Sequence, residues 1–109
     1  MEIRLLDVAQ QELDETVEYY NSESQGLGDQ FLLEVLSSVQ RIKQFPQAWQ
    51  PFTHNSHRCK TRRFPYGLTY QILESEILIV ALAHLHRKPD YWLDRISKQG
   101  QVIVGAPGT

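Results

Sequence analysis

The run Ile77-Leu78-Ile79-Val80-Ala81-Leu82-Ala83 constrains this chain more than any other feature. Seven apolar residues follow one another without the polar alternation of a strand that has one wet face. The run is the longest of its kind in the chain and far short of the roughly 20 residues that span a bilayer. It reads as the central strand of a sheet, buried on both faces. The rest of the chain has to be arranged around it.

Two strand-like segments precede the run, Arg58 to Phe64 and Leu68 to Leu73. Pro65-Tyr66-Gly67 and Glu74-Ser75-Glu76 separate the three segments, so they form an antiparallel meander. The first half of the chain has a different period. Ala9, Leu13, Val17 and Tyr20 recur at helical spacing, with Asp7 as N-cap and Gln10 completing a capping-box pattern. Glu12, Asp14, Glu15 and Glu18 fall mainly on the other faces and read as a solvated exterior. This helix ends near Asn21 to Glu23. Gly26-Leu27-Gly28 breaks the chain, and Phe31, Leu32, Val35, Leu36, Val39, Ile42 and Phe45 mark a second helix that Pro46 stops. The short connection predicts an antiparallel helical hairpin.

Residues 2–6 read as a short first strand, and 46–57 as a loop that tucks Trp49 and Phe52 against the core. Pro89 to Ser97 reads as a short C-terminal helix anchored by Tyr91 and Trp92. The expectation is therefore an α+β fold of order β-α-α-β-β-β. An antiparallel sheet carries the hairpin on one face. Residues 1–98 make a single domain and 99–109, uncharged and with three glycines, a flexible tail.

Composition removes several classes. At 109 residues the chain is the size of one ordinary domain. Its single cysteine, Cys59, rules out a disulfide scaffold, and no Cys/His spacing suggests zinc. The acidic, amphipathic start lacks the regions of a signal peptide. A cytoplasmic protein without membrane contact is expected. The net charge of −2 hides a division. Residues 1–40 carry nine acids, from Glu2 to Glu34, against Arg4 alone; residues 41–109 carry ten bases against four acids. Such asymmetry points to a charged partner.

The bases gather in two places. Arg58, Lys60 and Arg62 alternate along a strand and would form one stripe of about 13 Å, enough to meet two or three phosphates. A solvated face that keeps a sheet edge soluble accounts for the same residues. The end of the apolar strand adds His84, His86, Arg87, Lys88 and Tyr91. Two histidines at i, i+2 could share a metal, yet no carboxylate or cysteine completes a set, so neither a metal nor a cofactor is expected. A buried, hydrogen-bonded His84 is the plainer structural role. Arg, Lys, His and Tyr beside a basic strip are also what metal-free phosphodiester cleavage requires. One group takes the 2′-OH proton, cations stabilise the phosphorane and another group protonates the leaving oxygen.

Three segments together resemble the RelE/ParE superfamily of bacterial type II toxin–antitoxin modules, on the ParE-like, plasmid-stabilisation side. They are Ala9 to Tyr20 followed by Gly26-Leu27-Gly28 and Phe31 to Pro46; Arg58 with Arg63-Phe64-Pro65-Tyr66-Gly67-Leu68-Thr69-Tyr70; and Ala83-His84-x-His86-Arg87-x-Pro89-x-Tyr91-Trp92-x-x-Arg95. The resemblance covers about residues 1–96. It implies a growth-inhibiting toxin bound and neutralised by a cognate antitoxin, as a hetero-oligomer. ParE-like members act on DNA gyrase, and RelE-like members cleave mRNA on the ribosome without metal. For a nuclease the resemblance implies Arg58, Lys60, Arg62, Arg87 and Tyr91 as catalytic candidates, with His84 and His86 behind them. A toxin fold that has lost activity and only binds its antitoxin is the third reading.

Overall fold

In the computed structural model, which describes residues 1–96, the chain runs β1 (Glu2–Leu5), α1 (Asp7–Glu23), α2 (Leu27–Gln44), β2 (Gln50–Pro51), β3 (His57–Lys60), β4 (Tyr66–Ile72) and β5 (Glu76–His84). One helical turn over 93–96 follows. The strands form one sheet in the order β1-β5-β4-β3-β2. The expected tail at 99–109 lies outside the described residues.

β5 contains the apolar run and is buried on both faces from Ile77 to Leu82. β3, β4 and β5 form the antiparallel meander, with Arg58 opposite Thr69 and Leu68 opposite Leu82. The sheet as a whole is mixed. β1 lies parallel to β5, Leu5 beside Ile79. A parallel pair needs a long crossover, and the helical hairpin is the first part of that connection. Only the first half of β5 gains this neighbour, because β1 is four residues long and β5 nine.

The hairpin forms as its periodicity predicts. α1 buries Ala9 and Leu13, and α2 buries Phe31, Val35 and Ile42. Burying each of the larger side chains contributes roughly 2–3 kcal/mol. Tyr20, Phe31, Phe64 and Tyr66 meet at ring centroid distances of 5.1 to 6.1 Å, mostly edge to face. The connecting residues have distinct tasks. Gly26 precedes α2 with φ of 84°, a left-handed conformation that costs other residues strain. Gly28 lies against α1, where a Cβ would strike the Val17 carbonyl and the Asn21 side chain. Its N–H donates to Asn21 Oδ1 at 2.7 Å.

Two boundaries differ from the sequence reading. Leu6, not Asp7, is the N-cap of α1, and no side chain caps that end. Asp7 sits in the first turn instead, where its charge still favours the helix dipole. The strand expected over 58–64 stops at Lys60. Thr61 turns the chain: its N–H donates to the Tyr66 carbonyl at 2.9 Å and its hydroxyl to that of Phe64 at 2.7 Å. Glu34 of α2 then accepts the backbone N–H groups of Arg62 and Arg63 at 2.5 and 2.6 Å. The loop after α2 also contributes β2, a two-residue strand on β3.

The second sheet face is shallow. Gly67 and Thr69 of β4 stand opposite Ala83 and Ala81 of β5. Residues 85–96 fold back across it as a strap. Trp92 is 1% exposed, and Thr53 donates to the Pro89 carbonyl at 3.3 Å. The hairpin and the strap thus account for the two dry faces of β5.

Candidate functional site

Strand alternation divides the β3 side chains. Cys59 points into the hairpin core and is fully buried, which pushes its thiol pKa up. Arg58 and Lys60 face the strap side. Arg58 is half-buried with its guanidinium 4.2 Å over the Phe52 ring, and Lys60 is exposed. Arg62 does not continue the stripe. It stands in the turn after β3, exposed, with its backbone held by Glu34. The stripe therefore reduces to Arg58 and Lys60.

The end of β5 brings the other candidates together. Arg58, His84, Arg87, Lys88 and Tyr91 line one pocket, closed at its side by Trp92. Arg87 lays its guanidinium 4.0 Å over the Tyr91 ring. His84 is exposed rather than buried, because it is the last residue of β5 and lies beyond the hairpin's cover. Its Nδ1 accepts the His86 N–H at 3.1 Å, and the two rings meet edge to face at 5.1 Å. His86 is exposed beside it. Among the described residues, no three His, Cys, Asp or Glu side chains come together as metal ligands.

Tyr91 is half-buried and its hydroxyl is engaged. It donates to Glu12 Oε2 at 2.7 Å. Burial raises its pKa, and the Glu12 hydrogen bond raises it further. A phenol held this way keeps its proton and is a poor general base.

Glu12 is the residue that sequence reasoning missed. It was expected on a solvated helix face. Instead its carboxylate accepts from Arg95 at 2.8 and 3.0 Å, from Tyr91, and from the Leu82 backbone N–H at 3.0 Å. Arg95 also donates to the Val80 carbonyl at 2.8 Å. Val80 and Leu82 belong to the half of β5 that β1 does not reach. The Glu12–Arg95 pair therefore bonds one N–H and one carbonyl of that half with side chains. The available signal was the length difference between a short first strand and a long central one.

A second groove lies on the hairpin side of the same strand end, lined by Glu12, Glu15, Thr16, Tyr66, His84 and Arg87 among others. His84 and Arg87 border both hollows. The cluster can hold an anionic group among its cations, and His84 is an exposed imidazole at the rim.

A family model described as the ParE toxin of the type II toxin–antitoxin system parDE matches residues 3–89. The chain belongs to the ParE toxin family. A solved structure described as a chromosomal ParDE TA system from P. aeruginosa is similar at 18% identity, with a TM-score of 0.62. The match covers 77% of this chain and 95% of that one. That likeness is one of fold. Among curated proteins, none matches the sequence. The ParE match ends at Pro89, so Tyr91, Trp92 and Arg95 of this ParE-family chain stand beyond the matched span.

Proposed function

We propose that the chain is the toxin of a type II pair, neutralised by a cognate antitoxin in a hetero-oligomer, and that it inhibits growth by binding DNA gyrase in the cytoplasm. Membership of the ParE family supports the toxin role. The observation that carries the choice of target is the state of the candidate nuclease groups. Arg62 leaves the strand, and the Tyr91 hydroxyl is committed to Glu12. What remains is a cationic binding surface on which the Tyr91 hydroxyl is held by Glu12.

One observation favours the second reading, an endoribonuclease: Arg58, His84 and Arg87 share a pocket. A cleavage mechanism there would have to use His84 as base. Expression without antitoxin separates the readings. Filamentation with DNA-damage signalling is the expected result. Immediate translation arrest with cut transcripts, abolished by His84→Ala, would replace gyrase with mRNA. Antitoxin binding without any growth effect would leave an inactive toxin fold.

A further inference from the structure

Leu33 and Leu36 of α2 are 67% and 50% exposed, and Leu33 is the most exposed large apolar side chain among the described residues. A single exposed leucine is ordinary on a protein surface. These two belong to a row. Asp29, Leu33, Leu36, Gln40 and Lys43 follow one another at steps of four, three, four and three, and all five are exposed. Alternating steps of four and three keep side chains on one line along a helix, the spacing by which one helix seats against another. Leu32 and Val39, half-buried, widen the row on one flank. The core residues of the same helix, Phe31, Val35 and Ile42, point the opposite way. Charges stand only at the ends of the row. Asp29 and Lys43 lie seven residues before and after Leu36, each about 10 Å from it along the axis. The other charged side chains of α2 are engaged on the β3 side. Glu34 holds the turn after β3, and Arg41 donates to Ser38 Oγ at 2.9 Å and to the Lys60 carbonyl at 3.4 Å. Asp29 accepts one long hydrogen bond, from Asn21 at 3.3 Å. Neither Asp29 nor Lys43 forms an ion pair among the described residues.

We propose that this face is the contact between two copies of the chain, their α2 helices packed antiparallel about a two-fold axis at Leu36. A two-fold contact uses the same patch on both subunits, so the patch must be its own complement. An apolar centre with opposite charges equidistant on its two sides meets that requirement. Leu36 then faces Leu36 of the second copy, Leu33 faces Val39, and Asp29 faces Lys43 at both ends. A parallel arrangement would set Asp29 on Asp29 and Lys43 on Lys43, and like charges repel. One helix face buries less than the roughly 1,200 Å² of a stable interface, so the dimer is weak and dissociates in the micromolar range. The row lies on the outer side of the hairpin, and the dimer leaves the strap-side pocket uncovered.

The contact does not rest on the toxin reading, and its test contains no growth assay. Sedimentation equilibrium of the full chain alone, across the micromolar range, should show a reversible monomer and dimer. Leu36→Glu sets two carboxylates against each other at the axis and should weaken association at least tenfold. Asp29→Lys and Lys43→Asp should each weaken it several-fold, because each sets like charges together at both ends. The double variant, Asp29→Lys with Lys43→Asp, makes the ends complementary again and should return to within twofold of the parent. Tyr19→Gln removes an exposed ring from α1 and should change nothing beyond twofold. Circular-dichroism melts report whether each variant is folded, and all the changed positions are exposed. A monomer at every concentration, a Leu36→Glu variant that dimerises like the parent, or a charge swap no better than its single variants would overturn the proposal. A monomer that binds a cognate antitoxin, and loses that binding on Leu36→Glu, would give the face to the antitoxin instead.

Discussion

Glu12 ties together three parts of the chain, accepting from Leu82 of β5 and from Tyr91 and Arg95 of the strap. Both members of its ion pair have side chains only 17% exposed, so removing one charge strands the other in a poorly solvated place. Glu12→Gln is expected to cost about 3 kcal/mol, the low end for breaking a buried pair. At this chain length that lowers Tm by on the order of 15 °C. A thermal melt within two or three degrees of the parent would show that the pair contributes little. A second expectation concerns alkali. Burial raises the pKa of Tyr20, Tyr70 and Tyr91 above the ordinary phenol value. A group whose folded pKa is raised stabilises the fold fully below its unfolded value, about 10 for tyrosine, and that contribution is lost as pH rises through the folded value. Urea midpoints should therefore hold from neutrality to about pH 10 and fall above it, with a shallower fall in Tyr91→Phe. A midpoint that stays level through pH 12 would contradict this. Nothing in the charge pattern distinguishes Glu12 from Glu15 or Glu18. Its role is set by an edge of β5 that lies 70 residues away in sequence.

The two glycines of the interhelical turn separate conformation from space. Gly28→Ala would drive a methyl group into the α1 backbone, so it should cost about 2–3 kcal/mol by overpacking. Gly26→Ala meets no atom and pays only for its left-handed φ, about 1 kcal/mol. Chemical denaturation ranks them, and a reversed order would mean that the helices part easily at Gly28. Both helices and the meander were legible in the sequence because their periods, 3.6 and 2, are written locally. The run at 77–83 also announced its two dry faces. Two features were not legible. The parallel direction of β1 depends on where the hairpin returns the chain. The end of β3 at Lys60 depends on Glu34, which captures two backbone N–H groups from another element. Arg58, Lys60 and Arg62 therefore read as one stripe when only two of them share it. The pocket was half legible, since Arg58, His84, Arg87 and Tyr91 were all named, but the wall that Trp92 gives it was not.

For the molecule as a whole, the charge division becomes spatial. The acids lie mainly on the hairpin, while bases collect around the free end of the sheet and the start of the strap. The strap is also structural. A chain ending after Lys88 would lose Trp92 and Arg95, uncover the shallow sheet face and leave the β5 edge without its Arg95 donor. It should bind hydrophobic dyes and elute as aggregates in size-exclusion chromatography. A monomer with the parent's melting temperature would show that the second face needs no cover. The edge carries a further consequence for synthesis. The first strand, both helices and the whole meander emerge from the ribosome before the residue that seals β5. Until Arg95 arrives, the Val80 carbonyl lacks its donor and Glu12 lacks its cation, on the half of β5 that β1 leaves open, the kind of edge that recruits other strands. Any protein that attends the nascent chain therefore meets it with this edge exposed, and the native surface exists only after residue 95 has been made.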